Sequence, residues 1–349
     1  MKKSLILLLV VVMTGMVSAQ SLEETLSNLS ATAGKAYVKP VSSAFGSNLN
    51  SGWVHGVPPK SLIGFHFNFK VVAMGSFFSD DQKTFSESGT FVFSNSQIDA
   101  IIKNSGYQPG TPQYNAIYSE MQNKAFGVNF SGPTVNGKKD EFVKVNFPGA
   151  KVNGQDVAKY TVNLDEVKGF LDELPALPMA AVQVTAGTVL GTYVSVRYFP
   201  SIDVQDIGKV SFWGAGLIHN IGYWIPNPLP VDIGVGFFFQ NLKAGDILET
   251  NATQFGLYAS KTFGGTVAFT PYVGATMESF TTDVSYTYES NQIDELGSKV
   301  KVPIKMELEG ENKVGFTVGF NIKLAVLNIN ADYKAAKVST ASLGLSLGF

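Results

Sequence analysis

Cysteine is absent from this sequence of 349 residues, arginine occurs once and histidine three times. Without cysteine, the chain can form no disulfide, no thiolate metal site and no cysteine nucleophile. Charge is scarce as well, at 15% of residues against about 25% in an average soluble domain. Basic residues number 26 and acidic residues 28, so the chain lacks the basic excess that nucleic-acid binding needs. The hydrophobic content of 45% excludes general disorder.

Long apolar runs are missing after the N-terminus, because no later stretch reaches the roughly 18 apolar residues of a membrane-spanning helix. At the start of the chain, Lys2 and Lys3 precede the apolar residues 5–12, and a short segment leads to Ala19. This order is typical of a signal peptide that is cleaved after Ala19. A membrane-anchoring helix is the alternative, but the apolar run is too short to span. We predict that residues 1–19 are removed and that the protein is exported.

Much of the chain alternates between apolar and polar residues. In residues 231–239, Val231, Ile233 and Val235 begin one face, while Asp232 and Gly234 begin the other. A period of two predicts a β-strand with unlike faces. The same alternation recurs in residues 64–71, 179–188, 192–199, 210–219, 253–262, 266–280, 314–324, 327–334 and 342–349.

The composition of the two faces distinguishes a soluble sheet from a membrane barrel. The polar face consists mostly of glycine, serine, threonine and asparagine, whereas a water-facing surface is usually rich in charge. The apolar face is aromatic and uncharged, as lipid contact requires. The connections at residues 200–208, 241–251, 280–310 and 334–337 fall on one side and are mostly long, apart from the short one at 334–337. Those on the other side are mostly short, apart from residues 225–230. The residues predict an all-β, antiparallel transmembrane barrel within residues 61–349, with about 12 strands and a range of about 10–14.

The least regular part of the barrel region is residues 94–177, where the sequence leaves an external loop, a plug or extra barrel strands open. Short helices are predicted at residues 112–124 and 163–174. Short strands are predicted at residues 126–130, 141–147 and 159–162.

Residues 20–60 are predicted to form a helix and a plug. Ser21 and Glu24 have the spacing of a capping box, and Gly34 is a plausible helix stop. Leu22, Leu26 and Leu29 share one face of that helix. The following residues are too polar for lipid and too aromatic for a tail, with Tyr37, Phe45 and Trp53 as plug candidates. A periplasmic helix with a linker is the alternative.

Several segments carry a resemblance to a known family. They are Tyr37-Val38-Lys39-Pro40, Phe45-Gly46, residues 49–53, Gly64-Phe65, residues 196–200, residues 214–219 and Trp224-Ile225-Pro226. The chain resembles a family of bacterial outer-membrane β-barrel proteins with no assigned function, which implies a barrel and an outer-membrane location but no activity. Phe349 resembles the terminal aromatic residue that barrel-assembly machinery reads. A more distant likeness, to long-chain fatty-acid outer-membrane transporters with a plug before the first strand, is architectural only.

Candidate chemistry is sparse. His55, His66 and His219 do not have metal-ligand spacing, and neither a nucleophile elbow nor a phosphate-binding loop is present. We therefore predict no enzyme activity, no metal and no cofactor. The candidate lumen-facing residues are Arg197, His66, Lys70, Asp232, Asn321 and Lys323. Arg197 could contact anions inside a pore, or it could form an internal ion pair, for example with Asp232.

The sequence leaves three functions open. The first is a passive channel or transporter for a small solute that could be hydrophobic, motivated by the plug-like segment, glycine-rich strands and low charge. The second is a structural or surface-display barrel, motivated by residues 94–177 and 280–310. The third, an outer-membrane lipase or protease, depends on His66 and His219 alone. The expected partners are outer-membrane lipid, the assembly machinery and a small hydrophobic ligand, with no nucleic acid.

Overall fold

The computed structural model describes residue 26 and residues 29–204, 208–225, 229–294 and 296–348. The predicted signal peptide with its cleavage after Ala19, the capping box of Ser21 and Glu24, and Phe349 lie outside these residues. The described helices are α1 (Ala31–Leu49), α2 (Asn95–Asn104) and α3 (Pro112–Met121). In chain order the described strands are β1 (Ile63–Phe77), β2 (Thr84–Val92), β3 (Ala125–Pro133), β4 (Phe142–Phe147), β5 (Ala150–Val152), β6 (Gln155–Val157), β7 (Tyr160–Lys168), β8 (Ala176–Val189), β9 (Thr192–Val204), β10 (Gly208–Asn220), β11 (Asp232–Ala244), β12 (Leu248–Ser260), β13 (Phe263–Gly264), β14 (Val267–Ile293), β15 (Lys299–Glu309), β16 (Val314–Leu324), β17 (Leu327–Ala335) and β18 (Thr340–Gly348).

Antiparallel strands close into a barrel. The order around the wall is β12-β11-β10-β9-β8-β1-β18-β17-β16-β14, and pairing of β12 with β14 closes the ring. The prediction of an all-β antiparallel barrel is therefore confirmed. The sheet has 12 strands, but β13 and β15 only pair with β14, so ten strands close the wall, which is fewer than the expected count of about 12 and within the predicted range of about 10–14. The reason is that residues 94–177 contribute only β8, which begins at Ala176, to the wall.

The connections differ in length between the two ends. We call the end that contains Gly348 the lower end, and the end where β18 begins at Thr340 the upper end. Tight turns at residues 190–191 and 325–326 lie at the lower end. The upper end has the long connection of residues 78–175 and the hairpin that β14 and β15 form beyond the ring. Long connections at one end are typical of outer-membrane barrels. The predicted long connections at residues 200–208 and 241–251 are wrong, because β9 and β11 continue to Val204 and Ala244 and the next strands begin at Gly208 and Leu248.

A separate unit at the upper end accounts for the irregular segment. Strands β2, β3, β4 and β7 form a four-stranded antiparallel sheet, and β5 pairs with β6. Edge-on contacts among Phe93, Phe126 and Phe147 build its core. The predicted helix at 112–124 and the three short strands correspond to α3, β3, β4 and β7. The predicted helix at 163–174 is wrong, because alternating buried residues of this segment continue β7 along β4.

Helix α1 continues well past the predicted stop at Gly34 and ends at Leu49. Gly34 and Gly46 lie where α1 packs closely against β14, and neither ends the helix. A Cβ atom at Gly34 would overlap the Tyr286 hydroxyl group, and one at Gly46 would overlap the Phe280 ring. The residues after Gly34, which we expected to form a plug beyond the helix, are therefore helical down to the mouth of the barrel.

The barrel wall exposes its apolar face to the outside. Val196, Phe316 and Leu345 are 53%, 63% and 55% exposed, respectively. Polar residues of the same wall, such as Gln183, Asn68 and Ser346, are buried on the inner face. This arrangement is the reverse of a soluble barrel, in which the apolar face turns inward.

Within the described residues, no helix has both the length and the apolar character needed to cross a membrane.

Candidate functional site

The candidate site is the interior of the barrel together with residues 50–60, which pass through it. At the upper mouth, Ser47 Oγ donates to the carbonyl of Val338 at 2.8 Å and Asn48 Nδ2 donates to that of Leu177 at 2.8 Å. At the lower end, Asn220 Nδ2 donates to the carbonyl of Pro58 at 2.6 Å. The chain thus descends the whole interior before β1 begins at Ile63.

Three cationic side chains converge on the end of α1 and the residues that follow it. Lys334 Nζ donates to the carbonyls of Ser47 and Asn50 at 3.2 and 3.3 Å. Lys70 Nζ donates to the Gly52 carbonyl at 2.7 Å, and Arg197 Nη1 donates to the Ser51 carbonyl at 2.9 Å. Each cation is at most 1% exposed. The carbonyls at a helix C-terminus carry partial negative charge, so they compensate part of the cost of burying these cations.

Arg197 is held by neutral groups. Its Nε and Nη2 atoms donate to Gln183 Oε1 at 3.3 and 3.0 Å. Its guanidinium carbon lies 4.0 Å from the centre of the Trp53 ring, a cation–π geometry. The pair with Asp232 considered from the sequence does not form, because Asp232 accepts a hydrogen bond from Asn220 instead, at 3.0 Å.

Two buried carboxyl groups complete the middle of the interior. Glu278 Oε2 lies 2.9 Å from Lys334 Nζ, and both side chains are at most 1% exposed. The Tyr272 hydroxyl donates to Asp332 Oδ2 at 2.8 Å. A buried ion pair of this kind is costly to break, because removing one partner leaves an uncompensated charge.

Large side chains fill most of the space that remains at this level. Between Asn50–Val54 and the wall residues Tyr258 and Tyr272, a cavity of about 10 Å³ is left. That volume holds about one water molecule. The strand glycines create room for these rings, since a Cβ at Gly256 or Gly319 would press against them. The barrel is therefore closed at mid-height by its own chain.

A second cavity, of about 410 Å³, lies below this constriction at the lower end. We call it the lower cavity. Its wall includes His55, His66, Asn68, Tyr193, Asp232, Thr270, Asn321, Lys323 and Asn328. The His66 ring stacks on the Tyr193 ring with centroids 4.3 Å apart.

A cleft of about 650 Å³ lies at the upper end, between α1, the turn after β1 and the β15 strand. Its charged residues include Lys35, Lys39 and Glu307, and Lys39 Nζ lies 3.2 Å from Glu311 Oε1. This cleft lies beside the upper unit and shares no lining residue with the lower cavity.

The structure places the six candidate lumen residues on the inner face in two groups. Arg197 and Lys70 lie at the constriction, whereas His66, Asp232, Asn321 and Lys323 line the lower cavity. The sequence reading missed Gln183, Glu278 and Lys334 at the constriction. The sequence alternation could have identified these three residues, because each occupies a polar-face position of an alternating strand.

The plug candidates occupy three different levels. Trp53 lies against Arg197 and stacks on Phe238 with ring centroids 4.9 Å apart. Phe45 is buried in the main apolar core. Tyr37 lies above the barrel, where its hydroxyl donates to the Lys168 carbonyl at 2.8 Å, and burial raises its pKa.

His219 does not face the interior. It follows Leu217 on the outward face of β10 and accepts a hydrogen bond from Trp224 Nε1 at 2.8 Å. Its other ring nitrogen lies 2.9 Å from Thr192 Oγ1. Because His66 lines the lower cavity, the two histidines lie on opposite faces of the wall and cannot serve one catalytic site. In the described part of the chain, no three histidine, aspartate or glutamate side chains cluster as a metal site.

Comparisons with known proteins give a family but no activity. A family model described as a family of unknown function, DUF6588, matches residues 1–349. No curated protein matches the chain.

Solved structures with some similarity include three bacterial proteins. The N-terminal β-barrel domain of Pseudomonas aeruginosa OprF has 17% identity and a TM-score of 0.21, covering 45% of this chain and 94% of that one. Pseudomonas putida OprB has 8% identity and a TM-score of 0.21, covering 82% and 94%. The transport unit of the Escherichia coli autotransporter AIDA-I has 8% identity and a TM-score of 0.27, covering 88% and 97%. At TM-scores this low, these likenesses support no functional inference.

Proposed function

We propose that this chain, which belongs to the DUF6588 family of unknown function, is a bacterial outer-membrane β-barrel that its own N-terminal segment closes. The outward apolar face supports this proposal, since Val196, Phe316 and Leu345 are each more than half exposed. In water such a surface would be unfavourable and prone to aggregate, whereas in lipid it is solvated. A closed barrel also pairs its strands all round, which a hydrocarbon environment requires.

The proposed activity is passive transport of a small solute. One observation carries it: residues 50–54 close the barrel at mid-height through polar contacts, above an open cavity. Water can replace the hydrogen bonds of these carbonyls and cations when the segment moves, which lowers the cost of opening. Trp53 and Val54 belong to a small apolar cluster with Phe238, and opening has to separate that cluster as well. The polar inner face favours a polar solute over the hydrophobic solute that we considered from the sequence.

A disulfide lock tests this activity, and the cysteine-free chain makes the test clean. Ser47 Oγ and Thr340 Oγ1 lie 2.7 Å apart, so Ser47→Cys with Thr340→Cys places two sulfur atoms close to bonding distance. We expect the oxidised variant to lose solute flux in liposome-swelling assays and single-channel recordings. The reduced variant should regain the flux of the unmodified protein, because the helix end is free again.

A matched pair within the wall supplies the control. Thr185 Oγ1 and Ser195 Oγ also lie 2.7 Å apart, but they join β8 to β9, which need not separate. Thr185→Cys with Ser195→Cys should conduct equally in both redox states. Unmodified protein that never conducts, or a Ser47–Thr340 lock that leaves flux unchanged, would refute the transport proposal.

A surface-display barrel is the second candidate, and the upper unit favours it. Residues 84–168 contain a sheet of their own at the upper end, and their aromatic residues pack in the same buried cluster as α1 and the wall residue Phe280. If display is the function, protease added to whole cells should cut this unit while the barrel survives. Intact segments 94–177 and 280–310 after that treatment would argue against display.

A further inference from the structure

The lower cavity contains a concentration of hydrogen-bonding atoms with no partner. Asn68 Oδ1, Asn321 Oδ1, His55 Nδ1 and His66 Nε2 are all buried and unpaired among the described residues. All four residues line the same cavity. Asn68 and Asn321 are 1% and 7% exposed, so leaving their carbonyl oxygens unpaired is costly.

The surrounding hydrogen bonds set the role of Asn321. Asn328 Nδ2 donates to the Val326 carbonyl at 3.4 Å, which leaves Asn328 Oδ1 as an acceptor. Asn321 Nδ2 donates to that oxygen at 3.3 Å. The remaining atom, Asn321 Oδ1, is therefore a buried acceptor without a partner in a residue that lines the cavity. Asn68 behaves in the same way, with Nδ2 donating to Ser346 Oγ at 3.0 Å.

The charge of the cavity is balanced. Asp232 and Lys323 are its only charged lining residues among those described, and they carry opposite signs. A ligand with a net charge would be attracted to one and repelled by the other. Hydroxyl groups suit the other atoms, because a hydroxyl can donate to a carboxamide oxygen and can either donate to or accept from an imidazole nitrogen.

We infer that the lower cavity is a binding site for a neutral polyhydroxylated solute of the size of a mono- or disaccharide. The solute's hydroxyl groups donate to Asn68 Oδ1 and Asn321 Oδ1 and bond to the two imidazole rings. The volume of about 410 Å³ accommodates such a molecule beneath the constriction. The inference deepens the proposed function, on which it rests for a route into the barrel, by naming a substrate class.

The test measures binding to the full chain in detergent by isothermal titration calorimetry, with glucose, maltose and glycine as probes. We expect glucose or maltose to bind and glycine not to bind. Asn321→Leu and Asn68→Leu keep the side-chain shape but remove the acceptor, so each should weaken sugar binding by about two- to ten-fold.

Gln254→Met is the matched control. Gln254 is also a buried inner-face amide with an unpaired Oε1, but it lines the constriction instead of the lower cavity. It should bind sugar like the unmodified protein.

The outcomes separate this inference from the proposed function. Sugar binding in detergent without flux through liposomes would uphold the site and refute transport. Sugar flux that both asparagine variants leave unchanged would uphold transport and overturn the site. Binding of glycine with no binding of either sugar would also overturn the inference, because it would assign the cavity to a zwitterion held by Asp232 and Lys323.

Discussion

At the scale of single residues, the interior combines buried charge with few ionic partners. Lys334 pairs with Glu278, whereas Lys70 and Arg197 depend on backbone carbonyls and, for Arg197, on Gln183 and the Trp53 ring. Buried cations normally need compensation of this kind to remain charged. The same carbonyls belong to the segment that closes the barrel, so the wall and the segment stabilise each other.

The Lys334–Glu278 pair gives the first prediction. Lys334→Met should lower the free energy of unfolding by about 3–5 kcal/mol, because it leaves the buried Glu278 carboxylate without a cation to balance its charge. Adding Glu278→Gln should restore at least about 1 kcal/mol, since the unpaired charge is then removed. Urea unfolding in lipid vesicles measures both values.

The control for this cycle is a pair on the exterior. Lys243 Nζ lies 3.4 Å from Glu249 Oε2, with both side chains well exposed. Lys243→Met should change the free energy of unfolding by less than about 1 kcal/mol. If Lys334→Met and Lys243→Met lowered the free energy of unfolding equally, the buried Lys334–Glu278 pair would not stabilise the interior as described.

At the scale of elements, α1 is shaped by what packs on it. Gly34 and Gly46 interrupt its sequence pattern, yet the helix runs through both. Glycine fits at these two positions because Tyr286 and Phe280 occupy the space that a side chain would need. Leu26 and Leu29 join the same core above the barrel. The helix thus depends on tertiary contacts more than on its intrinsic propensity.

Gly46→Ala tests this view of α1. In an isolated helix the change would be favourable by about 1 kcal/mol. In this protein it should cost about 1–3 kcal/mol, because the added methyl group meets the Phe280 ring. Hydrogen exchange of the α1 amides and urea unfolding would report the loss.

Thr32→Ala is the control for that substitution. Thr32 lies on the exposed side of the same helix, so alanine there should leave the stability unchanged or slightly raise it. A more stable Gly46→Ala variant would show that α1 does not press against the wall as described.

At the scale of the whole molecule, the outward apolar face decides the environment. Leu345 lies near the middle of β18, and Val326 lies in the turn at the lower end. If the wall spans a bilayer, Leu345→Lys should cost about 2–4 kcal/mol when the protein folds into phosphatidylcholine vesicles. Val326→Lys should cost at most about 1 kcal/mol, because the lysine can reach water. If Leu345→Lys and Val326→Lys both cost at most about 1 kcal/mol, the wall does not span a bilayer. A mature chain that stays monomeric in water without detergent would also exclude a membrane barrel.

The sequence by itself determined which face of each strand is apolar. Alternation places Val194, Val196 and Tyr198 on one side and Ser195 and Arg197 on the other, whatever the strand later pairs with. The scarcity of charge and the abundance of small polar residues then indicated a crowded interior. Those properties are local, since they follow from the geometry of a single strand.

Only the tertiary structure decided how many strands close the wall, how α1 and residues 50–60 enter it, and which groups hold Arg197. Closure of the barrel depends on the pairing of β12 with β14. The position of the end of α1 depends on the hydrogen bond between Ser47 and Thr340, which are 293 residues apart. Such contacts depend on shape and reach in the folded barrel, and no periodic pattern encodes them.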